Sequence, residues 1–265
     1  MGSEMCIRDR PHPDQEKIIV PIHYQSLLQG IIYHSLDEDP AFQKFVHNRG
    51  FINDRRKFKL FTFSRLFGHA YYDRQTHQLI FHDTVFWYVG SVLPQLIHSL
   101  GDRLLLSDGI RLGNQIVMID SVAYEKLPQF KTNVLSIQML SPIVVYSTIE
   151  KTDGGRLTHF FGPHDEAFRQ LVLKNCLRKY EAYYGEPYQD ELDFHPLRVV
   201  RGDKVVTAYR ETIINAWNGT YRLRANRKML NFLYEAGIAG KNSQGFGMFT
   251  VVAGGGELHA HGVGH

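Results

Sequence analysis

Two cysteines in 265 residues, Cys6 and Cys176, are too few for a disulfide framework or a cysteine-rich metal site. Long apolar runs are also missing, and no stretch approaches the ~20 apolar residues of a membrane-spanning helix. There is no charged start leading into an apolar core, the mark of a secretory signal. Together these absences predict a cytoplasmic protein with no membrane partner. The acidic residues are scattered, without the Asp/Glu cluster of a two-metal nuclease, so neither a metal nor another cofactor is expected. What is present is an ordinary folding composition, 43% apolar and 22% charged, long enough for one large domain or two small ones.

The most informative stretch lies near the end, Gly237-Ile238-Ala239-Gly240-Lys241-Asn242-Ser243-Gln244-Gly245-Phe246-Gly247-Met248. It follows a helical pattern from Arg227 to Ala236, with Met229, Leu230, Phe232, Leu233 and Ala236 at helical spacing, and precedes a strand-like run from Met248 to Val252. Dinucleotide fingerprints and P-loops run the other way, from strand into helix, so neither motif fits. Glycines, a lysine and amide side chains suit a phosphate-bearing partner. Spacing alone favours a helix C-cap at Gly237 followed by a glycine-rich connection.

The net charge of +3 is small, but its distribution is uneven. Between positions 198 and 228 lie Arg198, Arg201, Lys204, Arg210, Arg222, Arg224, Arg227 and Lys228, against only Asp203 and Glu211. Such a local excess suits a polyanion, or else a solvated sheet face. Arg222 and Arg224 alternate with Leu223, which puts both on one side of a strand.

Elsewhere the pattern alternates strands and helices. Met5 to Arg10 reads at most as an edge strand, weakened by Pro11 and Pro13. A helix is predicted from about His23 to Leu36, with Tyr24, Leu27, Leu28, Ile31 and Ser35 on its apolar stripe and Tyr33 on the opposite side. A helical turn around Phe42, Phe45 and Val46 ends at His47-Asn48-Arg49-Gly50. A single strand is predicted from Phe58 to Ser64, with Lys59 at its beginning. Strands between Gln78 and Val89, a helix from Val92 to Leu105 and short strands to Val122 complete one set, and Lys126 to Gln129 reads as a linker. The second half shows strands at Val134–Met139 and Ile143–Thr148, a turn at Asp153-Gly154-Gly155 and a helix from Asp165 to Tyr184 ended by Gly185. Phe168, Leu171, Val172, Leu173, Cys176, Leu177 and Tyr180 form that helix's apolar side. Strands between Leu192 and Arg224 follow. The histidines of the last twelve residues are expected to lie in a functionless tail rather than a metal site.

The glycine-rich string resembles the signature of the CRISPR-associated endoribonucleases that mature CRISPR RNA, members of the repeat-associated RNA-binding (RAMP) superfamily. The chain departs from that signature at Ala239, where the family usually has glycine. The segments Leu28-Gln29-Gly30-Ile31-Ile32-Tyr33, Phe45-Val46-His47 and Lys59-Leu60-Phe61-Thr62-Phe63-Ser64 resemble the same family in order and spacing. The resemblance implies an α+β fold of two tandem ferredoxin-like (βαββαβ) domains, 1–125 and 126–253, ahead of a tail at 254–265. It also implies that Tyr33, His47 and Lys59 form the cleavage site; on the residues alone, among 14 histidines, His23, His34, His69, His77 and His82 compete with His47.

RNA carries its own nucleophile in the 2′-hydroxyl, so cleavage needs alignment, proton transfer and positive charge rather than a metal. His47 can move a proton near neutral pH, Lys59 can neutralise charge growing on phosphate, and Tyr33 can hydrogen-bond the sugar–phosphate. The expected activity is metal-independent cleavage of precursor CRISPR RNA within its repeats, leaving 5′-hydroxyl and 2′,3′-cyclic phosphate ends. A protein of the same superfamily that holds CRISPR RNA without cutting it is the alternative. Expected RNA contacts are Arg198, Arg222, Arg224, Gly237, Lys241, Asn242, Ser243, Gly245 and Gly247. The expected partners are CRISPR repeat RNA and a CRISPR interference complex, the protein itself being a monomer or homodimer.

Overall fold

The computed structural model describes residues 4–11, 17–150, 154–209 and 212–252. Two antiparallel sheets organise it, one in each half of the chain. The first has five strands in the order Phe61–Phe63, Val85–Ser91, Glu4–Pro11, Gln115–Glu125, Ile110–Leu112. The second has four, in the order Asp193–Arg198, Thr220–Arg224, Val134–Met139, Phe249–Val251.

Among the described residues, five α-helices accompany them: α1 Gln25–His34, α2 Pro40–Lys44, α3 Pro94–Leu106, α4 Glu166–Tyr184 and α5 Arg227–Ala236. Leaving aside the short hairpins, each half runs strand, helix, strand, strand, helix, strand, and each sets its first strand in the interior of the sheet. The fold is thus mixed α+β. No helix among the described residues is long and apolar enough to cross a membrane.

Several expectations shift in physically informative ways. The segment at Glu4–Pro11 is not an edge strand; it pairs with Val85–Ser91 on one side and Gln115–Glu125 on the other, with Met5 and Ile7 fully buried. Pro11 is tolerated because it ends the strand. The buried face of α1 is rotated from the predicted stripe: Gln25, Leu28, Gln29 and Ile32 are buried, whereas Leu27 and Ile31 are only partly so. The single strand predicted from Phe58 to Ser64 is two, Arg56–Phe58 and Phe61–Phe63, broken where Leu60 takes a φ of 53°. Phe61, Thr62 and Phe63 are all buried, so the second piece does not alternate.

In the second half, the strand expected at Ile143 begins at Tyr146 and runs to Glu150; Ile143 makes only an isolated bridge to Trp217. The turn predicted at 153–155 lies partly, and the tail wholly, outside the described residues. α5 spans the predicted Arg227–Ala236, begun by Asn226, whose side chain accepts from the Met229 N–H at 2.9 Å.

A hairpin of Lys204–Tyr209 and Thr212–Trp217 leaves the second sheet and lies against α1. There His23 Nδ1 meets Thr207 Oγ1 at 2.9 Å and accepts the Ala208 N–H at 3.1 Å, while the Tyr209 hydroxyl donates to Gln29 Oε1. The buried core of the second half also takes in Phe58, Leu60 and Val92 from the first.

Candidate cleavage site and glycine-rich loop

The chain segment after α1 builds the first candidate site. Asp39 caps α2 by accepting the Phe42 N–H at 2.9 Å, with Pro40 at the first helical position. α2 then widens into a π-turn, Phe45–Arg49, in which Val46 is buried and His47 exposed. Gly50 closes the turn at φ 59°, donating its N–H to the Phe45 carbonyl at 2.7 Å. A Cβ there would stand 2.5 Å from the Phe58 carbonyl oxygen, so only glycine lets the turn lie against the following hairpin. That hairpin, Phe51–Asn53 with Arg56–Phe58, delivers Lys59 at its end.

Tyr33, His47 and Lys59, from three separate elements, come together here. Lys59 Nζ donates to the Tyr33 hydroxyl at 2.7 Å and to the His47 backbone carbonyl at 2.7 Å, and it lies 4.9 Å from the centre of the Tyr33 ring. The Tyr33 and His47 rings meet edge-on, 4.7 Å between centroids. His47 Nδ1 lies 2.7 Å from Asn48 Oδ1, and Lys57 Nζ donates to the Asn48 carbonyl at 3.1 Å. With Asn48 Oδ1 as acceptor, Nδ1 carries the proton and the neutral ring keeps its lone pair on the exposed Nε2. Tyr33 is half-buried, not on the free side of α1. It rests against Phe61 at 5.9 Å, and its carbonyl accepts from Gln43 Nε2 at 3.3 Å. Four of the rivals are engaged elsewhere: His23 Nδ1 meets Thr207 Oγ1 at 2.9 Å, His34 Nδ1 the Gly30 carbonyl at 2.9 Å and His77 Nδ1 the Tyr72 hydroxyl at 2.7 Å, while His82 stacks on Tyr71. Among the described residues no group of three His, Cys, Asp or Glu is arranged to hold a metal ion.

The glycine-rich loop is built differently from an open phosphate cradle. Gly237 (φ 78°) ends α5 as its C-cap and donates to the Leu233 carbonyl. The N–H groups of Ile238, Gly240, Gln244, Gly245 and Gly247 all donate to backbone carbonyls, those of Gly240 and Gly247 to Val144 and Pro142. Asn242 pins the loop from within: its Nδ2 donates to the Ile238 and Phe246 carbonyls at 2.9 and 3.0 Å. Ala239, at the position that departs from the resemblance, still takes the left-handed conformation at φ 57°. Its Cβ there costs about 1–2 kcal/mol.

The loop also grips the first half of the chain. The Thr62 hydroxyl donates to the Phe246 carbonyl at 3.1 Å, Gln29 Nε2 donates to the Ser243 carbonyl, and Gly245 packs on the Phe63 ring. Ser243 therefore contributes its carbonyl to α1. Lys241 is largely buried against Tyr146, 5.1 Å from the ring centre, and desolvation pushes its pKa down.

A test of the loop's role compares two glycines of like backbone. At Gly247 (φ 77°) a Cβ would collide with the Ile238 carbonyl and stand 2.6 Å from Asn242 Nδ2, whereas at Gly185 (φ 73°) it would meet open space. Gly247→Ala is expected to destabilise by about 2–5 kcal/mol, combining backbone strain with overpacking. Gly185→Ala should show the strain alone, about 1–2 kcal/mol. Urea unfolding of both variants separates the two contributions.

The expected basic contacts lie apart from this cluster. Arg222 and Arg224 project from the exposed face of the second sheet, across it from α4, whose Phe168 and Val172 pack against Tyr221 and Leu223 on the other face. Arg224 pairs with Glu191 at 3.0 Å. Arg198 is exposed at the end of the neighbouring strand.

Lys179 was not among the expected residues. It is fully buried, and its Nζ donates to the Gly237 carbonyl, to the Ala239 carbonyl at 3.3 Å and to Asn242 Oδ1 at 3.0 Å. Desolvation pushes its pKa down to about 8. The signal was available: Lys179 falls on the same stripe of α4 as Val172 and Cys176, where a lysine is out of character. Asn48 and Gln29 were passed over as well, and their local sequence carries no comparable signal.

Known proteins match this chain along nearly all of its length. The model of the N-terminal region of the CRISPR-associated protein Cas6 matches residues 19–123, and that of the C-terminal region matches 125–251. A CRISPR-associated endoribonuclease Cas6 of Methanocaldococcus jannaschii is 29% identical over 240 residues, covering 88% of both chains. Another, from Pyrococcus furiosus, is 25% identical over 251 residues, covering 92% of this chain and 88% of its own. A solved RAMP protein described as binding different RNA substrates superposes with a TM-score of 0.80 at 19% identity, covering 94% of this chain and 99% of that one. Two consecutive family models that together cover residues 19–251, including Tyr33, His47, Lys59 and the glycine-rich loop, establish that the chain belongs to the Cas6 family of CRISPR-associated endoribonucleases.

Proposed function

We propose that the chain is a metal-independent endoribonuclease that cuts precursor CRISPR RNA within its repeats. The observation that carries this reading is the convergence of Tyr33, His47 and Lys59. The activity named for the Methanocaldococcus jannaschii and Pyrococcus furiosus relatives supports the substrate class. In the proposed reaction, His47 Nε2 takes the proton of the 2′-hydroxyl as the O2′–P bond forms. Lys59 offsets the charge growing on the phosphate oxygens, and the P–O5′ bond breaks. The leaving O5′ takes a proton from the Tyr33 hydroxyl, which Lys59 replenishes across their 2.7 Å hydrogen bond. The products are a 2′,3′-cyclic phosphate and a 5′-hydroxyl.

The repeated strand order supports two tandem ferredoxin-like units, 1–125 and 126–253. The sheet-face arginines Arg198, Arg222 and Arg224 serve RNA held at a distance from the cut, before the product passes to an interference complex. Lys241 and the loop glycines act by holding the two halves in register.

The test is cleavage of the source genome's repeat RNA in excess EDTA, with the product ends mapped. Full activity in EDTA with cyclic-phosphate ends is expected. Activity abolished by EDTA and restored by Mg²⁺ would sink the mechanism, and binding without cutting would make the protein a carrier of CRISPR RNA.

A further inference from the structure

A groove at the junction of the halves has a chemistry that the cleavage residues do not use. Its walls are α4 and the hairpin Phe51–Asn53/Arg56–Phe58, and its floor is the backbone from Val144 to Tyr146 and Ala239–Gly240. Arg56, Lys174 and Arg178 line it, the first two exposed, and Lys241 lies over the Tyr146 ring at its floor. The facing acids are few. Asp54 pairs with Arg178 at a loose 3.5 Å, and Glu181 accepts from Asn53 Nδ2. Three cations therefore line the groove, and a fourth lies over its partly exposed aromatic ring.

The groove also leads somewhere. Arg56 precedes Lys59 by three residues, about 10 Å of extended chain. Between them Lys57 reaches the Asn48 carbonyl beside His47. A chain of phosphates leaving the cleavage residues along this hairpin meets Arg56 first and then the two cations of α4. Stacking on the exposed part of the Tyr146 ring requires an unpaired base.

We propose that this groove binds the substrate as a single RNA strand flanking the cut, with Arg56, Lys174 and Arg178 on its phosphates and a base stacked on Tyr146. The inference rests on the nuclease reading and adds to it the strand's path, on the side of the second half away from Arg222 and Arg224. The loose Arg178–Asp54 pair lets the guanidinium exchange a carboxylate for a phosphate, which its planar fork accepts in bidentate fashion.

The experiment measures equilibrium binding of the repeat RNA across a range of salt concentrations. Its variants are Arg56→Gln/Lys174→Gln/Arg178→Gln, Tyr146→Leu and, as a fold control, Arg56→Lys/Lys174→Arg/Arg178→Lys. A control that removes two charges elsewhere is Arg103→Gln/Arg111→Gln, both exposed; Arg111 lies at the far edge of the first sheet. The triple neutral variant is expected to bind 10- to 100-fold more weakly, with the slope of log K against log salt reduced by about 2, at about 0.7 per lost phosphate contact. Tyr146→Leu is expected to lose about tenfold without a change of slope. The charge-conserving triple should keep the wild-type slope, and Arg103→Gln/Arg111→Gln the wild-type affinity.

Affinity within twofold of wild type in the neutral triple, or weaker binding with an unchanged slope, overturns the groove. If wild type still cuts the RNA in that case, the nuclease reading stands. Wild type that neither binds nor cuts overturns both.

Discussion

His47→Ala is expected to lower single-turnover cleavage of the repeat RNA by about 10²–10⁴-fold, the range for losing one positioned proton-transfer group. Binding should stay close to wild type, because the imidazole is exposed and its packing partner Tyr33 is held independently by Lys59 and Phe61. A wild-type enzyme given RNA with a 2′-deoxy sugar at the cut should be as inactive as the variant, since the nucleophile is then missing. Asn48→Ala provides the intermediate case. It removes the acceptor that fixes His47 Nδ1 as donor, 2.7 Å away, but leaves the ring, so a partial loss of cleavage rate, smaller than that of His47→Ala, is expected. Cleavage by His47→Ala within tenfold of wild type would assign the proton transfer to another group.

The second large effect concerns Lys179, and it appears in pH rather than in rate. An ammonium buried with three acceptors carries two opposed contributions. Each acceptor stripped of its donor costs about 1–3 kcal/mol, but the charge itself is disfavoured by desolvation, as its pKa near 8 shows. In Lys179→Met the desolvation cost vanishes while the three acceptors lose their donor, so near pH 7 the two changes oppose each other. As pH rises they separate. Between about 8 and 10.5 the unfolded chain holds a proton on Lys179 that the folded chain has released, so folding gains stability with rising pH across that window.

Relative to Lys179→Met, wild type is expected to gain about 2 kcal/mol from pH 7.5 to 9.5, read as a Tm difference that widens by roughly 4–8 °C. Above pH 10 the buried tyrosines act in the opposite sense. Burial raises the pKa of Tyr24, for example, so its ionisation favours the unfolded chain, and the comparison belongs below that point. A Tm difference that stays flat from pH 7.5 to 9.5 would mean that Lys179 folds with its proton retained.

The parts of this protein that could be read in advance are those fixed by neighbours in the chain. α5 emerged at its predicted bounds because a capping asparagine, a 3.6-residue apolar stripe and a terminal glycine all lie within a dozen residues. The candidate residues Tyr33, His47 and Lys59 could be named only through resemblance, since the hairpin that carries Lys59 back to Tyr33 has no local mark of its destination. What escaped depended on distant partners. Glu4–Pro11 looks like an edge in isolation and becomes an interior strand only because two other strands flank it. The break at Leu60 is a tertiary override: the side chain is buried, and the backbone turns left-handed to keep it so while Lys59 points to Tyr33. The loop glycines suit a phosphate in sequence, and the structure adds a packing demand that no local pattern carries: a Cβ at Gly245 would meet the Phe63 ring, at Gly237 Thr62, and at Gly247 the Ile238 carbonyl.

That interlock also limits how such a chain can be reshuffled between relatives. Ser243 and Phe246 of the second half find their partners in Gln29 and Thr62 of the first, while His23 holds a hairpin that arrives some 180 residues later. A chimera joined in the short stretch after Glu125 would inherit a loop shaped for one parent's α1 and sheet edge, set against those of the other. Its surface would match both parents, yet the seam would be mismatched at Thr62, Phe63 and Gln29. Exchange between lineages is therefore expected to succeed when these three residues travel with the glycine-rich loop, so that the unit of inheritance is the seam rather than either domain.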